Sequence, residues 1–245
     1  MQTRRDEVRG GSRNLPEQSN GNHGAEPSRE SGAQSTESAT EAIPDIVIRR
    51  LPIYVRTLSD LHGRGIRSVS SDELAGQIGV TAAQIRRDLS YFGRFGKQGK
   101  GYDTEFLAQE IAKILRLDRP WDVALAGFGN LGRAIVHYRG FVPSSFHITA
   151  IFDRHPERAG PRIDDVPILG DDQIAAVIAR EGIRIGIIAV PAGAAQSVAD
   201  QMVEGGVTAI LNYAPVVLKV PPDIVVREVD PISAMQSMTY YLKDE

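Results

Sequence analysis

The chain has 245 residues, a formal net charge of −3 and 42% hydrophobic residues, enough for one large or two small domains. It contains no cysteine, which excludes disulfides, thiolate zinc sites and cysteine nucleophiles. No apolar run approaches the ~18 residues of a membrane span, and the first thirty residues lack the apolar segment of a secretory signal. We therefore expect a cytoplasmic protein with neither a membrane partner nor a metal site.

Charge is distributed unevenly along the chain. Residues 1–44 have 5 Lys and Arg against 7 Asp and Glu, residues 45–119 have 13 against 9, and residues 120–245 have 10 against 15. A basic block between two acidic ones favours an anionic partner for the central block. Residues 1–43 are rich in Ser, Gly, Asn, Gln and Glu with almost no large apolar side chain, which predicts a disordered polar tail.

Residues 44–119 have the pattern of a small helical domain. Apolar residues at three- and four-residue steps predict a helix from Ile46 to about Leu61, and Pro52 inside it predicts a kink or a broken start. A later helix is predicted over about residues 104–116. Its expected apolar face consists of Phe106, Leu107, Ile111, Ile114 and Leu115.

Two short helices joined by a tight turn lie between these two. Ser70 and Glu73 fit the capping box at the start of the first, and Gly79 ends it. Thr81 can cap the second, which covers about residues 82–92. Two short helices joined by Gly-Val-Thr are typical of a helix-turn-helix motif.

Basic residues cluster on and after the second helix of this motif. Residues 93–102 contain four glycines and three cations, a pattern typical of a flexible, positive β-hairpin, or wing. A helix with two arginines near its start can read guanine edges in a major groove, and wing cations can reach phosphates or the minor groove. The predicted DNA-binding residues are Arg86, Arg87, Ser90, Tyr91, Arg94, Lys97 and Lys100. The alternative is a solvated helical face followed by a loop.

From residue 120 to 230 strands and helices alternate, which predicts a doubly wound parallel sheet. The expected strands cover residues 122–126, 147–153, 183–190, 207–211 and 224–229, with helices near 131–138 and 194–204. Residues 231–245 contain one more predicted helix. The fold class is therefore α/β, a winged helix-turn-helix domain followed by a Rossmann-type domain.

A glycine turn follows the first of these strands: Gly127-Phe128-Gly129-Asn130-Leu131-Gly132. In Gly-x-Gly-x-x-Gly the first glycine makes the turn, the second lets the backbone approach a pyrophosphate, and the third lets helix pack on strand. Asp153 ends the second strand, 21 residues after Gly132, where an acid can bind the ribose hydroxyls of NAD. Arg154 could instead accommodate a 2′-phosphate, and Coenzyme A is another ligand that such a fold can bind.

Two later strands end in Val190-Pro191 and in Asn212-Tyr213-Ala214-Pro215. Because the carboxyl ends of parallel strands line the ligand crevice, we interpret these residues as the nicotinamide side of the site. Ordinary strand-ending turns are the alternative. All five histidines precede residue 156 and no Tyr-x-x-x-Lys pair occurs, so a dehydrogenase's acid or base is missing. The nucleotide is therefore expected to be a signal, and the protein not to be an enzyme.

Several runs taken together resemble the Rex family of redox-sensing transcriptional repressors. They are Arg86–Gly93 with the run through Gly101-Tyr102, the turn Gly127–Gly132, and Asn212–Leu218. The resemblance covers about residues 44–243. It implies a homodimer that binds palindromic operator DNA when NADH is scarce and is released by NADH, with NAD⁺ as a weaker competitor. It also implies that the C-terminal helix is swapped between subunits.

The resemblance further implies a state-dependent polar network of Arg56, Tyr138 and Asp230, which occupy the matching positions. A surface arginine, a packed tyrosine and a helix-capping aspartate are the alternatives from the residues alone. The chain departs from the family pattern in its long polar tail and in Pro231, where an aromatic residue can occur. Two other functions stay open: an NAD-dependent oxidoreductase with an accessory DNA-binding domain, and an architectural DNA-binding protein.

Overall fold

The computed structural model describes residues 43–96, 101–138, 145–158 and 160–242. The predicted polar tail, except for Ile43, and the wing residues Lys97 and Lys100 lie outside these ranges. Residues 43–245 form one compact unit. Within the described ranges, no helix is long and apolar enough to cross a bilayer.

The N-terminal domain consists of four helices and a two-stranded sheet. In chain order these are α1 (Asp45–Gly63), β1 (Ser68–Val69), α2 (Ser71–Ile78), α3 (Ala82–Ser90), β2 (Tyr102–Asp103) and α4 (Thr104–Ile114). The strands β1 and β2 are antiparallel, with Val69 opposite Tyr102. The last residues of the predicted wing therefore pair with the strand that precedes α2.

Local caps explain where the two helices of the helix-turn-helix begin and end. The Ser70 hydroxyl accepts from the Glu73 amide at 3.1 Å, and the Glu73 carboxylate accepts from the Ser70 amide at 2.7 Å, which confirms the capping box. Gly79 ends α2 with a φ of +77°, a conformation that favours glycine. The Thr81 hydroxyl accepts from the Gln84 amide at 3.1 Å and starts α3.

The structure corrects two expectations for this domain. Helix α1 runs through Pro52 without a broken start, because Leu51, Tyr54 and Leu58 on one face are buried in the core and hold the helix together; a kink at Pro52 stays a prediction. Phe106 is 49% exposed instead of buried. Helix α4 begins at the buried Thr104, whose hydroxyl donates to the Ile66 carbonyl at 2.8 Å. Because Thr104 faces the core, Phe106, two residues later on the helix, faces solvent.

The second domain is a seven-stranded sheet flanked by helices. Its strands are β3 (Trp121–Ala126), β4 (Phe146–Asp153), β5 (Arg162–Ile163), β6 (Val166–Gly170), β7 (Ile185–Ile188), β8 (Ala209–Asn212) and β9 (Val225–Glu228). Its helices are α5 (Asn130–Val136), α6 (Ile174–Glu181), α7 (Ala192–Glu204) and α8 (Pro231–Thr239). The predicted strands and helices each overlap one of these elements; β5, β6 and α6 had no counterpart in the prediction.

The strand order is β5-β6-β4-β3-β7-β8-β9, and every pair is parallel except β5 and β6. The chain connections run outward from the centre in opposite directions on either side of the neighbouring, parallel strands β3 and β7, as in a doubly wound Rossmann sheet. In such sheets ligands bind at the carboxyl ends of the strands beside this reversal. Apolar clusters cover both faces of the sheet, one around Phe152 and Ile178 and the other around Leu125 and Ile151. The fold-class prediction is confirmed, apart from the helix swap.

Candidate DNA-binding and nucleotide-binding sites

Helix α3 separates a buried face from an exposed basic face. Ile85 and Leu89 are 0% and 3% exposed and belong to the N-terminal core. The predicted DNA-binding side chains of this segment, Arg86, Arg87, Ser90 and Arg94, are exposed, and Tyr91 is half-buried. The helix therefore presents cations to solvent while its other face anchors it.

Some of these polar side chains are already engaged on the protein surface. The Arg86 guanidinium donates to the Ser71 hydroxyl at 2.6 Å, which places it beside the start of α2. The Ser90 hydroxyl donates to the Arg87 carbonyl at 2.7 Å. A cavity of about 490 Å³ lies between α3 and the described part of the wing, and both Arg86 and Arg94 line it. The Arg87 side chain lines a second open groove with Tyr91.

A buried carboxylate fastens α3 to α1. Asp88 is 0% exposed and accepts a bidentate pair of bonds from Arg50, Nε to Oδ2 at 2.6 Å and Nη2 to Oδ1 at 2.8 Å. The Tyr54 hydroxyl donates to Oδ2 of Asp88 at 2.7 Å, and the side-chain nitrogen Nε2 of Gln84 donates to Oδ1 at 2.7 Å. Four donors thus satisfy one buried acidic group, which a buried charge requires.

These contacts determine the charge state of the group. Burial by itself raises the pKa of Asp88, but the hydrogen bonds from Arg50, Tyr54 and Gln84 outweigh it, so the net pKa is lowered. The carboxylate is therefore ionised at neutral pH. Burial, followed by the bond to this carboxylate, raises the pKa of the Tyr54 phenol, which stays protonated and donates.

This cluster is not among the sites predicted from the sequence. A signal was present, since Asp88 lies three residues after the inward-facing Ile85 and beside the inward-facing Leu89. An acid on a buried helix face needs a cationic partner, and Arg50 lies on the predicted first helix.

The candidate nucleotide site is a cavity of about 540 Å³ at the carboxyl ends of β3, β4 and β7. This is the place where the strand order reverses. Of the predicted cofactor residues, six line it: Gly127, Gly129, Asp153, Arg154, Val190 and Pro191. Among the lining residues that were not predicted are His155, Asp171, Gly193 and Ala194. The last two belong to the start of α7, which directly follows a buried strand and so could have been recognised from the sequence.

The three positions of the turn require glycine to different degrees and for different structural reasons. Gly127 has a φ of +95°, and a Cβ there would lie 2.4 Å from the Ala189 carbonyl oxygen. A Cβ on Gly132 would lie 2.0 Å from the Gly127 carbonyl oxygen, so helix and turn could not approach as they do. Around Gly129 nothing lies within 4 Å of that position. The first and third glycines are thus required by packing, and the second opens onto free space at the cavity.

Asp153 holds the turn as well as lining the cavity. Its Oδ2 accepts from the Phe128 amide at 2.7 Å, and its Oδ1 accepts from the His155 amide at 2.8 Å. Each carboxylate oxygen keeps a free lone pair for a ligand hydroxyl. Arg154 points toward Asp171, with Nε 3.4 Å from the carboxylate.

The remaining predicted cofactor residues do not line this cavity. Phe128 is 3% exposed and packs under the Arg133 guanidinium, while Asn130 and Leu131 are exposed at the start of α5. Asn212 is 1% exposed and shapes its own turn: its amide nitrogen donates to two carbonyls, those of Ala214 and Val216. The structure therefore gives the Asn212 side chain a turn-forming task, and a nucleotide contact from residues 212–215, including Tyr213 and Pro215, stays a prediction.

The three predicted switch residues have different surroundings. Asp230 caps α8, accepting from the amides of Ile232 and Ser233 at 3.0 and 3.1 Å. Arg56 is exposed, and Tyr138 is 64% exposed. Within the described residues, no group of three or more His, Asp or Glu side chains is arranged to hold a metal ion.

Comparison with known proteins gives this arrangement a family. A model described as "Putative DNA-binding protein N-terminus" matches residues 42–90, and a "CoA binding domain" model matches residues 118–216. The redox-sensing transcriptional repressor Rex of Chloroflexus aurantiacus is 54% identical over 202 residues, covering 82% of this chain and 95% of that protein. The Rex protein of Streptomyces coelicolor is 42% identical over 202 residues, covering 82% and 78%.

Solved structures agree. The complex of RSP with β-NAD⁺ and operator DNA is 41% identical, with a TM-score of 0.77, covering 81% of this chain and 92% of that one. The complex of RSP with β-NADH is 39% identical, with a TM-score of 0.74, covering 82% and 94%. Relatives that are repressors by name confirm the prediction of a regulator and contradict the enzyme alternative. The chain belongs to the Rex family of redox-sensing transcriptional repressors.

Proposed function

We propose that this protein binds palindromic operator DNA through α3 and the wing, and that NADH in the cavity of the second domain releases it. The observation that carries the proposal is the presence, in one compact unit, of an exposed basic recognition helix and a glycine-turn cavity at the reversal of a Rossmann sheet. Both ligands, operator DNA and a nicotinamide nucleotide, are bound in the solved structures of RSP.

On the DNA side, the exposed guanidinium groups of Arg86 and Arg87 lie on the helix whose start is capped by Thr81. Guanidinium groups at this place on a recognition helix read guanine edges bidentately or neutralise phosphates. Arg94 extends the positive surface toward the wing. Two such helices about one DNA turn apart would read the two halves of a palindrome.

On the nucleotide side, the cavity fits a dinucleotide. Free space above Gly129 admits a pyrophosphate, and the carboxylate of Asp153 lies at the end of the neighbouring strand, where ribose hydroxyls would bind. NADH and NAD⁺ share the atoms that the glycine turn would touch, so discrimination belongs to the nicotinamide end. There the apolar side chains of Val190 and Pro191 disfavour a charged ring by desolvation.

We further propose a homodimer in which α8 packs on the partner subunit. The apolar side chains of this segment are exposed: Ile232, Met235, Met238, Tyr240, Tyr241 and Leu242. A helix with no buried residue gains little stability from its own chain, so a partner surface is the natural place for it. In such a dimer Arg56, Tyr138 and Asp230 would form the state-dependent network. Binding to chromosomal operators places the protein in the cytoplasm.

The experiment is fluorescence anisotropy of a labelled palindromic duplex, titrated with the protein alone and with NADH, NAD⁺ or Coenzyme A. We expect NADH to weaken DNA binding by ~5- to 150-fold, since allosteric coupling is typically 1–3 kcal/mol. NAD⁺ should act more weakly, and Coenzyme A should have no effect. By reciprocity, saturating operator must weaken NADH binding by the same factor. DNA affinity that is indifferent to NADH would refute the proposal.

A pair of substitutions tests the DNA surface. Arg87→Ala on α3 should weaken operator binding by ~10-fold or more and lower its salt dependence, because one phosphate or base contact is lost. Arg180→Ala, which also removes an exposed arginine but on α6, should leave both unchanged. Equal losses for the two variants would mean that only total charge matters.

A further inference from the structure

Gln84 occupies a notable place on α3. It lies in the first turn, where its backbone amide donates to the Thr81 hydroxyl, and the residues near the start of a recognition helix are those that contact base edges. Its half-buried side chain lines the same open groove as Arg87 and Tyr91. The side chain is therefore next to two predicted DNA contacts.

The orientation of the Gln84 amide is dictated by its neighbour. Its Nε2 lies 2.7 Å from Oδ1 of Asp88. An ionised carboxylate accepts hydrogen bonds and cannot donate them, so the amide nitrogen and not the amide oxygen must face it. Within the described residues, the hydrogen bonds around Gln84 leave Oε1 without a donor.

This contact differs from an ordinary surface pair of Gln and Asp one helical turn apart. Asp88 is fully buried and is held from α1 by Arg50 and Tyr54, so it cannot turn to follow the glutamine. The Asp88 carboxylate is thus held in place, and it orders the side-chain amide of Gln84. A free glutamine can bond adenine at both N6 and N7, and it can also turn its amide over. Here one of the two N–H groups of Nε2 is bonded to Asp88, so the amide is held in one orientation and Oε1 remains its free acceptor.

We propose that Gln84 reads one operator base with its carbonyl oxygen as the acceptor, and that Asp88 is the positioning residue that holds the amide in the orientation presenting that oxygen to the DNA. In the major groove only adenine N6 and cytosine N4 offer amino donors, so the base is one of these two. The inference rests on the proposed operator binding and adds a base-reading contact to it. Asp88 itself touches no DNA.

The test uses operators with single atoms removed. Each adenine of the half-site is replaced in turn by purine, which lacks the N6 amino group, and each cytosine by an analogue that lacks the N4 amino group. For the unmodified protein, one such replacement should weaken binding by about tenfold per half-site, the worth of one hydrogen bond.

Gln84→Met keeps the length of the side chain and removes the acceptor. This variant should bind the natural operator about tenfold more weakly per half-site. At that one position it should bind the natural base and the analogue without the amino group equally well. Gln109→Met, a change at an exposed glutamine of α4, is the matched control and should retain the full pattern. If Gln84→Met responds to every analogue as the unmodified protein does, the proposal is overturned.

Asp88→Asn tests the positioning role. Without the charge on residue 88, the Gln84 side-chain amide can rotate by about 180°. Removing the amino group of the base should then weaken operator binding little or not at all, and binding to an unrelated duplex should stay as it is in the unmodified protein. A merely structural role would weaken binding to all duplexes equally, and that outcome overturns the assignment to Asp88. Should this variant not fold, Gln84→Met alone decides. Failure of the unmodified protein to bind a palindrome or to respond to NADH would instead refute the proposed function, before any variant is made.

Discussion

The two candidate sites of this chain are held in place in different ways. In the N-terminal domain, side chains fasten the predicted recognition helix α3, because Asp88 accepts bonds from Arg50 and Tyr54 on α1. In the Rossmann-like domain, backbone bonds and close packing hold most of the glycine turn, and the Asp153 carboxylate adds one side-chain bond, to the Phe128 amide. The Gly127 amide donates to the Phe152 carbonyl at 2.8 Å, and the Ala189 amide donates to the Ala126 carbonyl at 2.8 Å.

This difference predicts different vulnerabilities. A site held by backbone bonds and close approach tolerates the loss of side chains but not the addition of a carbon atom. A site held by a buried ion pair tolerates replacement of the whole cluster more readily than removal of one partner. The predictions below test this contrast.

The largest effect is expected at Gly132. Gly132→Ala places a methyl group 2.0 Å from the Gly127 carbonyl oxygen, so the backbone of the turn or of α5 must shift. We expect a loss of more than about 3 kcal/mol in the free energy of unfolding and no NADH binding, as strained overpacking does in well-packed cores. Urea denaturation and NADH fluorescence titration measure the two quantities.

Gly129→Ala is the matched control for that prediction. Its Cβ meets nothing within 4 Å, and the backbone φ is −75°, which alanine adopts freely. Its free energy of unfolding should stay within about 0.5 kcal/mol of the unmodified protein. The NADH response should nevertheless be lost, since the methyl group occupies the space of the pyrophosphate, while operator binding persists. A destabilisation as large as that of Gly132→Ala would contradict the packing argument.

The next effect concerns the buried cluster. Asp88→Ala leaves the Arg50 guanidinium, 19% exposed, without its acid, and should cost about 2–3 kcal/mol of unfolding free energy. The triple variant Arg50→Met, Tyr54→Phe, Asp88→Leu removes every partner that belongs to the cluster except Gln84. It should stay within about 1 kcal/mol of the unmodified protein, because apolar groups of similar size can replace a buried ion pair. Equal destabilisation of Asp88→Ala and the triple variant would contradict the expectation that an apolar cluster can replace the buried ion pair.

A smaller effect should follow from pH. Because the pKa of Asp88 is lowered in the folded state, its contribution to stability is fully present above the unfolded-state pKa of about 4 and is lost as pH falls through the folded-state pKa. Urea denaturation between pH 7 and pH 2.5 should therefore show acid destabilisation. The triple variant should show less of it, and an identical pH dependence in the two proteins would assign the loss to other carboxylates.

The smallest effect is expected at the surface pair of Arg227 and Asp45, which joins β9 to the start of α1. The Arg227 and Asp45 side chains are 37% and 55% exposed, so solvent screens the pair. Arg227→Ala should therefore cost less than about 1 kcal/mol, and added salt should reduce even that difference. Arg180→Ala at the exposed pair with Glu181 serves as the control. A larger, salt-resistant loss for Arg227→Ala would show that this contact belongs to a more extensive network.

The same contrast explains which parts of the molecule were predictable. The glycine turn, the capping box and the alternation of strands with helices depend on residues close together in the sequence, and all three are observed. The Asp88 cluster joins residues 34 and 38 positions apart, and no local pattern identifies such partners. Phe106 belongs to a helix whose phase is set by the burial of Thr104, and that is likewise a tertiary contact.

The segment between Asp153 and Ile183 shows a different limit. The strands β5 and β6 have two and five residues, and such short strands carry little periodicity. Helix α6 could have been recognised, because Val177 and Ile178 are apolar at helical spacing from Ile174 and Gly182 ends the helix with a φ of +67°. The assignment of residues 212–215 to a nicotinamide contact stays a prediction, since the Asn212 side chain bonds within its own turn.

The exposed apolar side chains of α8 have a consequence for regulation. In the proposed dimer, α8 is stabilised by the second subunit, so the folded form depends on mass action and its melting temperature should rise with protein concentration. The number of copies in the cell would then be a second input beside the proposed NADH signal. Dilution of the protein would weaken operator binding at an unchanged ratio of reduced to oxidised nucleotide.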